Sequence, residues 1–158
     1  GVQGKKKSSQ EKKATTRIFR IETYIPSKNK DLFNLYSKDI GKLMGDCFDI
    51  KKYKPEINDD IWVMIFSRKK LVGFIIVDDE NILSNVCVAK NYRRQGIAKE
   101  AMKQALQHIY KTRGKEKRPI LRLDNRNKDI KKLIRMYENF GFKIDRSDDK
   151  YTYMSQEF

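Results

Sequence analysis

Three apolar runs in close succession mark the centre of the chain. Ile61 to Ser67, Leu71 to Val77 and Ile82 to Val88 have strand length, and their connections, Lys69-Lys70 and Asp78-Asp79-Glu80-Asn81, are short and polar. Such links predict hairpins, so the three strands are expected to be antiparallel neighbours. Upstream, the alternation from Arg17 to Ile25 predicts a strand that Pro26 stops, because proline cannot donate to a sheet ladder. Leu32, Phe33, Leu35, Tyr36, Ile40, Leu43 and Met44 then recur at helical spacing behind Ser27 and Asp31, with Gly45 closing the run. Downstream, Ala98, Ala101, Met102, Ala105, Leu106 and Ile109 form one apolar stripe on a helix that ends near Gly114. Ile120 to Leu123 reads as a short strand, and Ile130, Leu133, Ile134, Met136, Tyr137 and Phe140 as a second long amphipathic helix stopped by Gly141. Phe142 to Ile144 and Tyr151 to Phe158, joined across Ser147-Asp148-Asp149-Lys150, close the chain as a hairpin. The predicted order is β-α-β-β-β-α-β-α-β-β, an α/β fold with a single mixed, mostly antiparallel sheet of about seven strands flanked by helices.

Composition narrows the class. A chain of 158 residues with 8 Phe, 8 Tyr and 1 Trp can bury a core as one domain. No apolar run reaches the roughly 20 residues that span a bilayer, and no apolar segment follows the lysine-rich N-terminus as in a signal peptide, so a soluble, intracellular and cytoplasmic protein is expected. Cys47 and Cys87 are the two cysteines, without C-x-x-C spacing, and neither a disulfide nor a thiolate metal site is expected of them. The formal charge of +15 is spread along the chain. Residues 1–16 hold Lys5, Lys6, Lys7, Lys12 and Lys13 against Glu11 in a polar context with almost nothing to bury, and read as a disordered basic tail ahead of a domain over 17–158.

The segment Val86-Cys87-Val88-Ala89-Lys90-Asn91-Tyr92-Arg93-Arg94-Gln95-Gly96-Ile97-Ala98 joins the fourth strand to the second long helix. A helix N-terminus has unpaired N–H groups and a positive dipole end, so a glycine that lets the backbone approach an anion there makes a phosphate cradle. Arg93 and Arg94 add charge that can meet phosphate oxygens, while Gly96 and Ala98 leave room for a pyrophosphate. Taken alone, the same residues also describe a basic loop with an ordinary glycine. No G-x-x-x-x-G-K-[ST] or G-x-G-x-x-G run is present, which sets aside P-loop and Rossmann sites.

The strand, the loop Arg93-Arg94-Gln95-Gly96-Ile97-Ala98 and the later Asn127 with Met136-Tyr137-Glu138-Asn139-Phe140-Gly141-Phe142 resemble the GNAT (Gcn5-related) N-acetyltransferases, in motif and in element order from Arg17 to Phe158. The resemblance implies acetyl-CoA as cosubstrate, no metal, and direct transfer of acetyl to a primary amine. Residues Arg93 to Ala98 would hold the pyrophosphate. Val86, Cys87 and Val88 would lie along the pantetheine arm, and backbone groups there would polarise the thioester carbonyl. Asn127 would contact the same arm, and Tyr137 would protonate the departing thiolate. Asn127 and Tyr137 stand ten positions apart, about one helical turn more than the family's usual spacing, which leaves Asn125 as an alternative.

The base is less legible. Glu80 stands just outside the fourth strand and is the first expectation for the base, although a charged hairpin turn is the better account of it. Arg122 occupies the place where some relatives carry a histidine and cannot serve as a base near neutral pH. Asp124, the Phe158 carboxylate if the natural chain ends there, and a mechanism with no dedicated base are further choices. The acceptor, a polyamine, a protein lysine or N-terminus, or an amino sugar, is not identified, and neither is monomer or homodimer. Two other classes stay in view: a CoA-binding scaffold of the same fold without turnover, and a basic nucleic-acid-binding module, which lacks zinc-finger spacing, RNP-like strands and a basic helix.

Overall fold

The computed structural model describes residues 19–156; the expected basic tail, Arg17, Ile18 and Phe158 lie outside them. The elements are β1 (Phe19–Tyr24), a 3-10 turn (Pro26–Lys28), α1 (Lys30–Leu35), α2 (Ser37–Phe48), β2 (Ile61–Ser67), β3 (Lys70–Val77) and β4 (Ile82–Val88). A second 3-10 turn (Lys90–Tyr92) leads to α3 (Ile97–Arg113), β5 (Ile120–Asp124), α4 (Ile130–Asn139), β6 (Phe142–Ser147) and β7 (Tyr151–Gln156). One sheet of seven strands has the order β1-β2-β3-β4-β5-β7-β6. Every neighbouring pair is antiparallel except β4 and β5. The mixed α/β sheet expected from the hydrophobic pattern is the one observed.

The single helix expected from Leu32 to Met44 is two. Tyr36 leaves helical geometry (φ −99°, ψ 7°) while its hydroxyl donates to the Lys69 carbonyl at 3.2 Å, so the chain turns where it meets the β2–β3 hairpin. The run then passes Gly45 and ends at Asp49, whose left-handed φ of 55° lets its N–H reach the Gly45 carbonyl.

Two cores lie on the two faces of the sheet. Phe33, Ile40, Leu43 and Met44 from α1 and α2 cover Trp62, Met64, Phe66, Phe74 and Cys87. On the other face α3 and α4 cover Ile65, Ile75, Leu83, Leu121 and Met154 with Ala101, Met102, Ile109 and Tyr137. β2 is buried along its whole length and β3 from Leu71 onward, which accounts for their uninterrupted apolar runs. The α1/α2 core includes no residue of β5, β6 or β7, so β5 buries only alternate side chains and β6 is exposed beyond Phe142.

One expectation is corrected. Cys47 and Cys87 form a disulfide, with Cα atoms 5.8 Å apart. Spacing along the chain carried no sign of it, because the pair exists only once α2 packs across β3 and β4 and brings its last turn over the fourth strand. Gly73, opposite Val88, serves the same close packing: a Cβ there would lie 2.5 Å from the Cys87 carbonyl oxygen.

Candidate active site

β4 and β5 are paired for only two residues, Ile82 with Ile120 and Leu83 with Leu121. At the closed end Asn81, 2% exposed, ties the strands together: its carbonyl accepts the Ile120 N–H at 2.9 Å, its amide donates to the Lys117 carbonyl, and its Oδ1 accepts from Arg113. Ser84 then forms a bulge, since Leu83 faces Val77 and Asn85 faces Ile76 with Ser84 unmatched between them. Beyond the bulge β4 continues to Val88 and β5 to Asp124 with no pairing between them. The edge of β4 from Ser84 to Val88 therefore stands open toward β5, with alternate backbone groups lacking a strand partner.

That open edge runs into the basic loop. Arg94 (φ 64°) and Gly96 (φ 74°) are both left-handed, and Gly96 is the N-cap of α3. The first helical bond, Glu100 N–H to the Gly96 carbonyl, leaves the earlier N–H groups of the turn without an intrahelical acceptor. A Cβ on Gly96 would meet nothing within 4 Å, so the space over the helix end is clear, and the glycine is required by its φ. Arg94 and Gln95 are exposed beside it, while Ile97 anchors the turn in the core. Arg93 is partly spent elsewhere: its Nε donates to the Val88 carbonyl at 2.8 Å and its guanidinium lies 3.8 Å from Cys47 Sγ. It thereby clamps the end of β4 and the end of α2 to the loop.

Tyr137 projects from α4 into the core that lines the other side of the open edge. The residue is 3% exposed, its ring packs edge-on to Phe140 and Phe142, and burial pushes the phenol well above its usual range. No protein group bonds its hydroxyl among the described residues, yet no buried side-chain oxygen or nitrogen there lacks a partner. The hydroxyl thus reaches accessible space while the ring does not.

The asparagines separate. Asn127 Oδ1 accepts the Asp129 N–H at 2.9 Å in the turn that opens α4, whereas Asn125 accepts from the Thr152 hydroxyl and donates to the Asp148 carbonyl, binding the β6–β7 hairpin. Glu80 sits in the β3–β4 turn at the closed end, its carboxylate 66% exposed and 3.8 Å from Lys117 Nζ. Val86, Cys87 and Val88 lie on the open part of β4; the structure does not bring Glu80 to them.

Strand alternation conceals one further group. Leu121 and Leu123 enter the core, so Arg122 and Asp124 take the opposite face, in register with Tyr153 and Tyr151 of β7, and Tyr153 is in turn opposite Arg146 of β6. The Arg122 guanidinium lies 5.1 Å from the Tyr151 ring centroid and that of Arg146 lies 4.2 Å from Tyr153. Asp124 is bound on both oxygens by Arg126, at 3.1 and 2.8 Å, and accepts the Arg126 N–H, which holds its pKa down to about 2.

A protein-family profile described as an acetyltransferase (GNAT) domain matches residues 58–144. The chain belongs to the GNAT acetyltransferase family. No curated protein matches it by sequence. Among solved structures, an acyl-CoA N-acyltransferase from Pseudomonas aeruginosa aligns with a TM-score of 0.65 at 16% identity, covering 88% of this chain and 99% of that one. Arabidopsis thaliana Naa50, in complex with the bisubstrate analogue CoA-Ac-MVNAL, aligns at 0.61 and 15% identity, covering 89% and 99%. The PaiA N-acetyltransferase of Thermoplasma acidophilum, in complex with coenzyme A, aligns at 0.57 and 17%, covering 89% and 99%. Among the described residues no helix is long and apolar enough to cross a membrane.

Proposed function

We propose that the protein is an acetyl-CoA-dependent N-acetyltransferase that transfers acetyl directly to a primary amine. The observation that carries this reading is the continuous path from the open β4 edge to the Gly96-capped end of α3. The N–H groups at the start of α3, with Arg94, would hold the pyrophosphate. The backbone groups of Val86 to Val88 that face away from β3, apart from the Val88 carbonyl held by Arg93, would bind the pantetheine arm, and acetyl-CoA supplies the acetyl group as a thioester when bound. The backbone N–H of Val88, which faces away from β3, would polarise the carbonyl oxygen without reorganisation cost, while that of Cys87 faces Phe74. Tyr137, kept protonated by burial, would donate its hydroxyl proton to the leaving sulfur. Asn127 would approach the arm from the turn before α4. Glu80, at the closed end, could take the amine proton only through water.

Thermal shift and calorimetry with acetyl-CoA test the cofactor site. A native-state ligand at about 100 times its Kd adds about 2.7 kcal/mol of apparent stability. Gly96→Glu should abolish this shift. Gly96→Ala carries the same left-handed strain without the bulk or the negative charge and should retain most of it. Thiol release with an amine panel then separates an enzyme from a CoA-binding scaffold. A folded wild type that shows no shift with acetyl-CoA overturns the reading.

A further inference from the structure

We infer that the amine acceptor carries an anionic group, a carboxylate or a phosphate, which the Arg122 guanidinium binds. The inference rests on the acetyltransferase reading above and concerns the class of its second substrate.

Arg122 is the first residue of β5 beyond the last β4–β5 pair, so it stands where the two strands begin to part. Its face is set by alternation, opposite the α3/α4 core, and the α1/α2 core does not extend over β5. Arg122 therefore borders an approach to the open edge of β4 from this face, with Asp124 two residues further along the same strand. The ion pairs among the described residues do not include Arg122 or Arg146. Asp124, which shares the face, is occupied by Arg126. Arg122 instead stacks on Tyr151, an arrangement that fixes the planar fork while leaving its N–H edges available for a bidentate anion. Arg146 on Tyr153 extends the row, with its charge partly offset by Asp148, whose carboxylate accepts the Lys150 and Tyr151 N–H groups.

One group of acids that would favour a cationic acceptor lies elsewhere, while Asp46 and Asp49 flank the bridged Cys47. Asp60 precedes β2 and is bonded by Asn58, and its pKa is raised by burial and by Asp78, Asp79 and Glu56, which gather near the closed end of the β4–β5 pair. A diamine at the open end would bring a second ammonium toward two guanidiniums. An amino acid or amino phosphate would instead pair its anion with Arg122, and the same positive field would lower the pKa of its ammonium and favour the neutral nucleophile.

The test uses ω-amino acids of two to six carbons, their amides, the matching diamines and the matching aminoalkylphosphonates, each assayed by kcat/KM with the full chain. A charge-assisted bond corresponds to about ten- to a hundredfold, so at least one acid should exceed its amide by that factor, and the phosphonate arm separates phosphate from carboxylate recognition. In Arg122→Gln the acid-to-amide ratio should fall toward one while the thermal shift with acetyl-CoA persists, which shows that the variant folds. Arg122→Lys should restore only part of the ratio. Should no member turn over, calorimetric titration of the same pairs into CoA-saturated protein reads the preference directly. Tighter binding of the acid supports the inference; equal or absent binding overturns it. A wild type that prefers diamines or amides, or a ratio unchanged in Arg122→Gln, also overturns it and leaves the acetyltransferase reading intact. Loss of the acetyl-CoA shift in the wild type is the separate result that removes that reading.

Discussion

Tyr137 shows how one residue can serve a core and a reaction with different atoms. Its ring fills the α3/α4 side of the sheet, whereas its hydroxyl has no protein partner among the described residues. Tyr137→Phe therefore removes no internal hydrogen bond and should leave the unfolding midpoint nearly unchanged. A general acid contributes about 100-fold at the lower end of its range, and a thiolate leaves readily, so a loss of about 10- to 100-fold in kcat is expected. Steady-state kinetics and a denaturant titration on the same preparation check both halves. Glu80→Gln should change kcat by less than about threefold, because its carboxylate is exposed and distant from the open edge. Asp124 gives a pH signature. Its folded pKa is held down to about 2 by Arg126, below the ordinary 3.8, so its contribution to stability is present above about pH 4 and is lost as the pH falls through 2. Asp124→Asn should flatten the acid limb of a stability-against-pH curve; an unchanged limb would show that the Arg126 pairing is too exposed to matter.

At the scale of elements, β4 decides the site. It pairs with β3 along its length and with β5 for two residues, and the bulge at Ser84 coincides with the parting of the strands. Gly73 holds β3 against this strand more closely than any side chain would allow. Gly73→Ala must push the Cys87 carbonyl, at a cost of about 1 to 3 kcal/mol, and should raise the KM for acetyl-CoA because the displaced backbone is the proposed pantetheine edge. Periodicity made the elements legible: β2, β3 and β4 coincide with three apolar runs, and α3 and α4 with two stripes. It could not show where strands part, since Leu83-Ser84-Asn85 gives no sign of a bulge. It also joined α1 to α2, because the apolar stripe continues through Tyr36 while the backbone does not. The basic loop was legible as a candidate anion site from Gly96 and the arginines, but the use of Arg93 on the Val88 carbonyl depends on a fold-level contact that spacing does not encode. Arg122 could be found by extending β5 alternation from Leu121 and Leu123, though its lack of an acidic partner among the described residues could not.

The whole molecule is joined covalently across its centre. The Cys47–Cys87 bridge links the last turn of α2 to β4, closing a loop of 40 residues that contains all of β2 and β3. Cys87 Sγ also lies 3.6 Å from the Leu43 carbonyl, and Cys47 Sγ 3.9 Å from that of Val88, the same oxygen that Arg93 clamps. The last turn of α2, the strand proposed to bind pantetheine and the loop proposed to hold the pyrophosphate thus share one junction. On a chain-entropy account, closing a loop of this length restricts the unfolded state by about 4 kcal/mol. Reduction should lower the denaturant midpoint accordingly, and a Cys47→Ala/Cys87→Ala variant should match the reduced wild type and ignore reductant. Thiol alkylation followed by mass measurement, with and without prior reduction, counts the bridged cysteines independently. Because the bridge constrains mainly the unfolded chain while the α2–β4 packing persists, acetyl-CoA affinity should fall less than stability does. A proportionate loss of both would instead mean that the bridge itself holds the open edge of β4 in its binding conformation.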